Sequence, residues 1–200
     1  MPSPIRFWFD FASPYAYFAM GELERMGAEF GRAVEWRPTL MWAVFRAHGI
    51  GAPMDVAAKR DYLLHDMKRS AAFFGLPYAK PAKLPFSAHL AGRLFYAVDA
   101  TEPAKAVDLA RKLLPAAFAE GRDIADEAVL ADLAGEVGIG RDAAIEAMKG
   151  AAGRAGLERA VAEAVTAGVI GSPYFSVDGE GLFGADRLPQ LRWLLAGGRA

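Results

Sequence analysis

Residues 7–17 read FWFDFASPYAY, in which an apolar run ends at the pair Ser13-Pro14 and an aromatic-rich helical pattern follows. The run Ile5–Phe9 is almost wholly apolar, which is typical of a short strand buried on both faces of a sheet. Serine is favoured at the N-cap of a helix, and proline is favoured at the first helical position. The stretch therefore predicts a strand, a turn and a helix that begins at Pro14.

Ser13 is the candidate functional residue of this turn. The N–H groups and the dipole at a helix start favour an anion beside its hydroxyl, such as a carboxylate, a phosphate or a thiolate. A plain capping role is the alternative. The chain contains no cysteine, so neither Ser13 nor Ala16 can form a mixed disulfide, which excludes an autonomous disulfide oxidoreductase. Any sulfur chemistry requires a thiol on another molecule.

Composition excludes several classes of partner. The chain has 200 residues, 54% of them apolar, which is enough for one large domain or a domain with an insertion. Its 23 basic and 24 acidic side chains give a net charge of −1, and without a basic stripe nucleic acid is not an expected partner. We find neither a long uncharged apolar stretch nor a secretory leader pattern, so we expect a soluble cytoplasmic protein without a membrane partner. The three histidines lack ligand spacing, and no metal site is expected.

The order of the predicted strands and helices indicates an α/β fold class. Val34–Arg37 reads as a second strand, and the segment from about residue 40 to residue 168 shows only helical spacing, enough for five or six helices. Asp126 is a plausible N-cap and Gly138 a plausible stop for one of them. Near the C-terminus, residues 174–183 predict a hairpin around Asp178-Gly179, and residues 187–195 predict a closing helix.

The step Gly171-Ser172-Pro173 precedes the first hairpin strand. The residues alone allow an ordinary trans turn or a cis-proline turn. A cis bond would turn the N–H and C=O of Ser172 outward, where they can pair with an extended peptide as one more strand. This step is therefore a second candidate site, far from Ser13 in the sequence.

The whole order of elements resembles the DsbA-like thioredoxin superfamily, and within it the branch of 2-hydroxychromene-2-carboxylate isomerases and kappa-class glutathione transferases. The segments that carry the resemblance are residues 9–17, 36–40, 168–179 and 183–188. It implies a thioredoxin-like domain formed by residues 1–38 and 169–200. It also implies a large all-helical insertion, residues 39–168, between the second and third strands.

The resemblance implies glutathione as the cofactor. Ser13 would hydrogen-bond its sulfur, and Ser172, before a cis Pro173, would pair with its cysteinyl backbone. Asp186 would hold the γ-glutamyl end, with a capping role for this residue as the alternative. The implied cofactor-binding set is Ser13, Ser172, Pro173, Phe183, Gly184, Ala185 and Asp186, with Ser13 catalytic and no metal.

The implied activity is that of a glutathione-dependent isomerase, which acts on 2-hydroxychromene-2-carboxylate or a related aromatic 2-oxo acid by reversible thiolate addition. Arg37, Trp42 and Ser87 are the candidate substrate residues; Ser87 stands where relatives often carry asparagine. Arg46 is the other candidate for the substrate carboxylate, and a solvated surface charge is the simpler interpretation for it. A homodimer is also implied. Two alternatives stay open: a kappa-like transferase that conjugates electrophiles, and a non-catalytic binding protein on the same fold.

Overall fold

A computed structural model describes residues 2–198 of the chain. Its sheet is formed by β1 (Ile5–Phe9), β2 (Val34–Pro38), β3 (Tyr174–Val177) and β4 (Glu180–Phe183), in the spatial order β2-β1-β3-β4. The strand β1 runs parallel to β2 and antiparallel to β3, and β3 pairs antiparallel with β4. The predicted α/β class and the thioredoxin-like fold are confirmed.

The helices that flank this sheet start with α1 (Pro14–Glu29) and end with a 3₁₀ turn (Ala185–Arg187) followed by α9 (Leu188–Leu195). Between β2 and β3 the described chain forms α2 (Met41–His48), α3 (Ala57–Phe74), α4 (His89–Asp99), α5 (Pro103–Phe118), α6 (Glu127–Glu136), α7 (Arg141–Lys149) and α8 (Ala151–Thr166). The prediction of five or six helices here was wrong, because seven are present. The short α2 and α7 span little more than two turns each, too few to establish a period.

Both faces of β1 are buried, as its apolar sequence predicted, and only Arg6 points outward. The Phe7 and Phe9 rings stack with centroids 4.6 Å apart on one face. Trp8 packs on the other face in a smaller cluster that includes Val44 of α2 and Ala164 of α8. The helices α2 and α8 therefore cover one face of the sheet, and α1 covers the opposite face.

Two local predictions are confirmed by backbone and side-chain geometry. The strands β3 and β4 are joined by Asp178 and Gly179, both at positive φ (52° and 89°), as a two-residue hairpin turn of this twist requires. Asp126 caps α6, since its carboxylate accepts hydrogen bonds from the N–H groups of Ala128 and Val129.

The proposed division at residues 38/39 and 168/169 remains a prediction. One cluster of buried side chains contains residues from both of the predicted units. Phe11, which follows β1, and Phe95 in α4 belong to it, and their ring centroids lie 6.3 Å apart. The two units therefore share a core in the described part of the chain.

Glycines allow the backbones of α4 and α8 to approach each other closely. A Cβ at Gly153 would lie 2.4 Å from the carbonyl oxygen of Arg93, and one at Gly156 would lie 2.6 Å from Cβ of Tyr96. On α4, a Cβ at Gly92 would lie 2.9 Å from Leu157. These contacts leave no room for a methyl group, so the spacing of the two helices depends on the three glycines.

We expect Gly153→Ala to lower the free energy of unfolding by about 1–3 kcal/mol, because the added methyl group meets backbone that cannot move aside cheaply. Gly21→Ala is the matched control within a helix, since nothing lies within 4 Å of the added Cβ. It should raise stability by about 0.5–1 kcal/mol through the better helix propensity of alanine. Urea denaturation of both variants measures the difference, and equal effects would contradict the close packing of α4 and α8.

Candidate functional site

Ser13 occupies the N-cap of α1, with Pro14 at the first helical position, as predicted. Its side chain, however, makes no capping hydrogen bond. The Ser13 hydroxyl instead donates to the carbonyl oxygen of Ser172, 3.0 Å away. The first helix and the loop before β3 are thus joined at this hydroxyl, and Ser13 is half-buried at the junction.

The Ser172–Pro173 bond is cis, which confirms the prediction for this loop. Ser172 lies beside the turn after β1, because its Oγ accepts a hydrogen bond of 2.9 Å from the Asp10 N–H. Its own N–H has no hydrogen-bond partner within residues 2–198. One residue therefore presents a free amide donor and a carbonyl acceptor next to Ser13.

The loop from Phe183 to Asp186 lies against the same proline. Gly184 has φ +110° and donates its N–H to the Pro173 carbonyl oxygen over 2.9 Å. The Phe183 ring occupies the space where a Cβ of Gly171 would stand, only 2.0 Å from that position. Close packing of this ring on Gly171 holds the loop beside the cis-proline turn.

Asp186 lies in the 3₁₀ turn before α9, with 74% of its side chain exposed, and Ala185 beside it is buried. Its carboxylate makes no capping hydrogen bond to that turn, and its closest charged neighbour is the Arg187 guanidinium at 3.4 Å. A carboxylate in this state is available to a cationic ligand group. Asp186 also lines a cavity of about 460 Å³ between α1, the end of α3 and α9.

Asp10 is a site residue that the sequence reasoning missed. Its side chain is buried and accepts hydrogen bonds of 2.8 Å from the N–H groups of Ala12 and Met41. Its carbonyl oxygen accepts the Ser13 N–H at 2.9 Å. Burial raises the pKa of the Asp10 carboxyl to about 6, although the two amide donors oppose this. The available signal was a single acidic residue inside an otherwise apolar run.

Tyr15 was also missed. Its hydroxyl donates to an Asp66 carboxylate oxygen at 2.7 Å, which ties the first turn of α1 to α3. Burial, together with this carboxylate, raises the pKa of the Tyr15 phenol far above its usual value. The phenol is therefore a hydrogen-bond donor at neutral pH, two residues after Ser13.

Trp42 and Ser87, two of the predicted substrate residues, line a common cavity of about 520 Å³. We call it the arginine cavity. Its other lining residues are Leu40, Ala43, Arg46, His89, Arg93, Arg154, Leu157, Glu158 and Val161. The N–H of Met41, between Leu40 and Trp42, donates to Asp10. This places the start of α2, one wall of the cavity, against the turn that carries Ser13.

Arg37 is not among the residues that line this cavity. Its guanidinium pairs with Glu35 and Glu163 and lies 5.9 Å from the centroid of the Trp8 ring. The structure thus brings together Ser13, Ser172, Pro173 and the loop to Asp186, with Trp42 and Ser87 in the neighbouring cavity, and it holds Arg37 in a separate network of ion pairs.

Within residues 2–198, no cluster of three or more histidine or acidic side chains is placed to hold a metal ion. None of the helices in that range is both long and apolar enough to cross a bilayer.

A strand–turn–helix with a polar residue at the helix start, beside a cis-proline loop on the adjoining strand, defines the class of thioredoxin-like proteins. The chain belongs to the family of DSBA-like thioredoxin domains, whose family model matches residues 4–196.

The chain is 30% identical to 2-hydroxychromene-2-carboxylate isomerase of Sphingobium xenophagum, over 94% of this chain and 95% of that protein. It is 26% identical to glutathione S-transferase kappa 2 of Caenorhabditis elegans, over 96% of this chain and 91% of that protein. A solved structure of a 2-hydroxychromene-2-carboxylate isomerase superposes with a TM-score of 0.87 at 25% identity, covering 96% of this chain and 94% of its own. The branch suggested by the sequence is confirmed.

The raised pKa of the buried Asp10 carboxyl predicts how the free energy of unfolding depends on pH. Because the native pKa lies near 6 and the usual value is 3.8, the native state retains a proton that the unfolded chain releases between these pH values. The free energy of unfolding should therefore contain a contribution that is present below pH 4 and lost as the pH rises through 6, worth up to about 3 kcal/mol.

Asp10→Asn removes this titration. The stability of the wild type relative to Asp10→Asn should fall as the pH rises from 4 to 6, as measured by urea denaturation at each pH. The absolute offset between the two proteins reports the altered hydrogen bonds, so only the change with pH tests the titration. A difference that is constant across this range would show that Asp10 titrates normally.

Proposed function

We propose that this protein is a glutathione-dependent isomerase that acts on 2-hydroxychromene-2-carboxylate or a related aromatic 2-oxo acid. The single observation that supports this best is the junction of Ser13 with Ser172 beside a cis proline, in a chain without cysteine. The extensive match to an isomerase of that name supports the same activity. In this proposal the enzyme serves aromatic degradation, as a cytoplasmic homodimer.

The residues at the junction fit a cysteinyl peptide. Ser172 offers a free N–H and a carbonyl oxygen, the two groups that an extended peptide needs for strand-like pairing. The hydrogen bond from the Gly184 N–H to the Pro173 carbonyl oxygen holds the loop that carries the exposed Asp186 carboxylate beside this residue. We therefore assign Ser172 to the cysteinyl backbone and Asp186 to the γ-glutamyl ammonium.

Ser13 would change partner when the cofactor binds. Without a peptide, its hydroxyl donates to the Ser172 carbonyl oxygen. The hydroxyl has a single proton to donate, and a thiolate accepts a stronger hydrogen bond than a neutral carbonyl oxygen does. A thiolate held beside the N-terminus of α1 would therefore take the Ser13 hydroxyl as its donor in place of the carbonyl. The carbonyl oxygen would then pair with the N–H of the bound peptide.

Ser13 then favours the ionised thiol, because a hydroxyl donor and a helix N-terminus both stabilise negative charge. Bound glutathione would supply a thiolate that adds to the conjugated enone of the substrate and leaves after the carbon–carbon bond has rotated. The protein's part is to hold the thiol, orient the substrate and direct the donor toward the sulfur.

A kappa-like glutathione transferase is the second candidate, supported by the match to a protein of that name over 96% of this chain. Product analysis separates the two activities. An isomerase regenerates free glutathione, whereas a transferase consumes it as the adduct is released. Incubating an aromatic 2-oxo acid with a fixed amount of glutathione, and counting turnovers per glutathione, decides between them.

Ser13→Ala should lower kcat/KM by about 100-fold, the usual effect of removing one donor from a developing anion. It should also move the acidic limb of the pH–rate profile to higher pH, because the bound thiol loses a donor that favours its ionised form. Ultraviolet absorbance of the aromatic substrate, with and without glutathione, measures both effects.

Ser176→Ala is the matched control. It loses the hydrogen bond from the Trp8 indole N–H, at 3.1 Å, and not the bond that joins α1 to the proline loop. Each variant loses one hydrogen bond and about 0.5–1.5 kcal/mol of stability. If both variants retain turnover and an unchanged pH profile, Ser13 has only a structural role.

Asp186→Asn should weaken glutathione binding by about threefold, the modest effect expected of an exposed ion pair. It should leave an analogue without the γ-glutamyl amino group almost unaffected, since that analogue has no cation to face the carboxylate. Calorimetry of both ligands in one buffer makes the comparison. Equal losses for the two ligands would show that Asp186 does not contact this ammonium.

A further inference from the structure

The arginine cavity carries an excess of positive charge. Arg46 on α2, Arg93 on α4 and Arg154 on α8 converge on it, and none of them forms an ion pair within residues 2–198. Most other arginines of the described chain do pair with a carboxylate. Glu158 is the one acidic residue among those that line the cavity. Unpaired guanidinium groups in a concave site attract an anion.

The cavity also has an apolar and aromatic wall. The guanidinium of Arg46 lies 5.2 Å from the centroid of the Trp42 ring, and about half of Trp42 is exposed. Leu157 and Val161 of α8 add aliphatic surface. A flat aromatic ring can therefore lie against this wall while an anionic substituent reaches the arginines.

Arg93 has the strongest position of the three. It is half-buried, whereas Arg46 and Arg154 are exposed, and a charge is screened less when it is partly removed from water. The close approach of α4 and α8 at Gly153 sets its distance from Arg154. Burial and the neighbouring Arg93 lower the pKa of the His89 imidazole, so the positive charge of the cavity at neutral pH belongs to the arginines.

The guanidinium of Arg37, by contrast, already has partners. Two carboxylates and the Trp8 ring surround its guanidinium. A substrate carboxylate would have to displace Glu35 or Glu163 to reach it. The geometry therefore favours the cations of the cavity over Arg37 as ligands of an acid.

We propose that the arginine cavity binds an aromatic carboxylate, with Arg93 as the principal ligand, Arg46 and Arg154 as supporting cations, and Trp42 against the ring. This rests on the proposed function, for which it names the site of the second substrate. The Met41–Asp10 hydrogen bond joins the start of α2, one wall of the cavity, to the turn that carries Ser13.

The test is direct binding in the absence of glutathione, by calorimetry. The probes are chromone-2-carboxylate, a stable bicyclic aromatic acid, and chromone, the same ring system without the acid. Wild-type protein should bind the acid at least about tenfold more tightly than chromone, as a charge-assisted hydrogen bond implies. Added salt should weaken the binding of the acid and leave the binding of chromone nearly unchanged.

Three variants assign the effect to residues. Arg93→Gln should remove most of the advantage of the acid, and Arg154→Gln, at an exposed position where a substitution changes stability little, should remove part of it. Glu158→Gln should strengthen binding of the acid, because it deletes the one negative charge of the cavity. Arg159→Gln is the matched control, since it removes the same charge from α8 at a residue that pairs with Glu163 outside the cavity.

Equal affinity of wild-type protein for chromone and for its acid would overturn the proposal. So would a loss in Arg159→Gln as large as that in Arg93→Gln, which would indicate only a general effect of net charge. If the acid binds to the wild type and the variants as expected, but the protein shows no glutathione-dependent turnover, the proposed function is overturned and the assignment of the cavity is supported. Turnover that persists undiminished in Arg93→Gln and Arg154→Gln would overturn the cavity assignment alone.

Discussion

The buried carboxylate of Asp10 is the contact on which the rest of the site depends. Its two oxygens accept the N–H groups of Ala12 and Met41, and its backbone bonds to Ser13 and Ser172. Buried amide groups without an acceptor cost free energy, so this carboxylate ties the turn after β1 to the start of α2, while the Asp10 N–H ties the same turn to Ser172. The raised pKa shows that this arrangement bears a desolvation cost, which an apolar residue at the end of β1 would avoid.

The sheet then brings the two ends of the chain to this point. The parallel pair β1–β2 is completed by β3, which returns after the long helical segment and lies antiparallel on the other side of β1. The Ser13–Ser172 hydrogen bond joins residues 159 positions apart. Trp8–Ser176 and Arg32–Asp178 join the same two ends of the chain. The junction of Ser13 with Ser172 is thus built by the pairing of β1 with β3.

Sequence patterns predicted those parts of the molecule that short-range rules govern. The strand before Ser13, the helix start at Pro14 and the Asp178-Gly179 turn each follow from neighbouring residues. The arginine cavity did not, because it depends on contacts between helices that only glycines permit, such as Gly153 against Arg93. Likewise, Arg37 was a candidate substrate residue because of its position along the sequence, but the ion pairs that occupy its guanidinium depend on three-dimensional packing. Nothing local identifies which arginines lack a partner.

The separation of neutral donors from cations also has a chemical consequence. Within residues 2–198, the Ser13 hydroxyl makes its hydrogen bond to a carbonyl group, and the unpaired guanidinium groups line the neighbouring cavity. A cation in contact with the sulfur of the proposed glutathione cofactor would lower the pKa of its thiol further. A thiolate loses nucleophilicity as the pKa of its thiol falls, however, and the best attacking thiol has a pKa near the ambient pH. A hydroxyl and a helix start lower it moderately. In the function proposed above, the arginines would remain free to neutralise the acid of a substrate, so that ionising the thiol and binding the anion would not compete for the same charge.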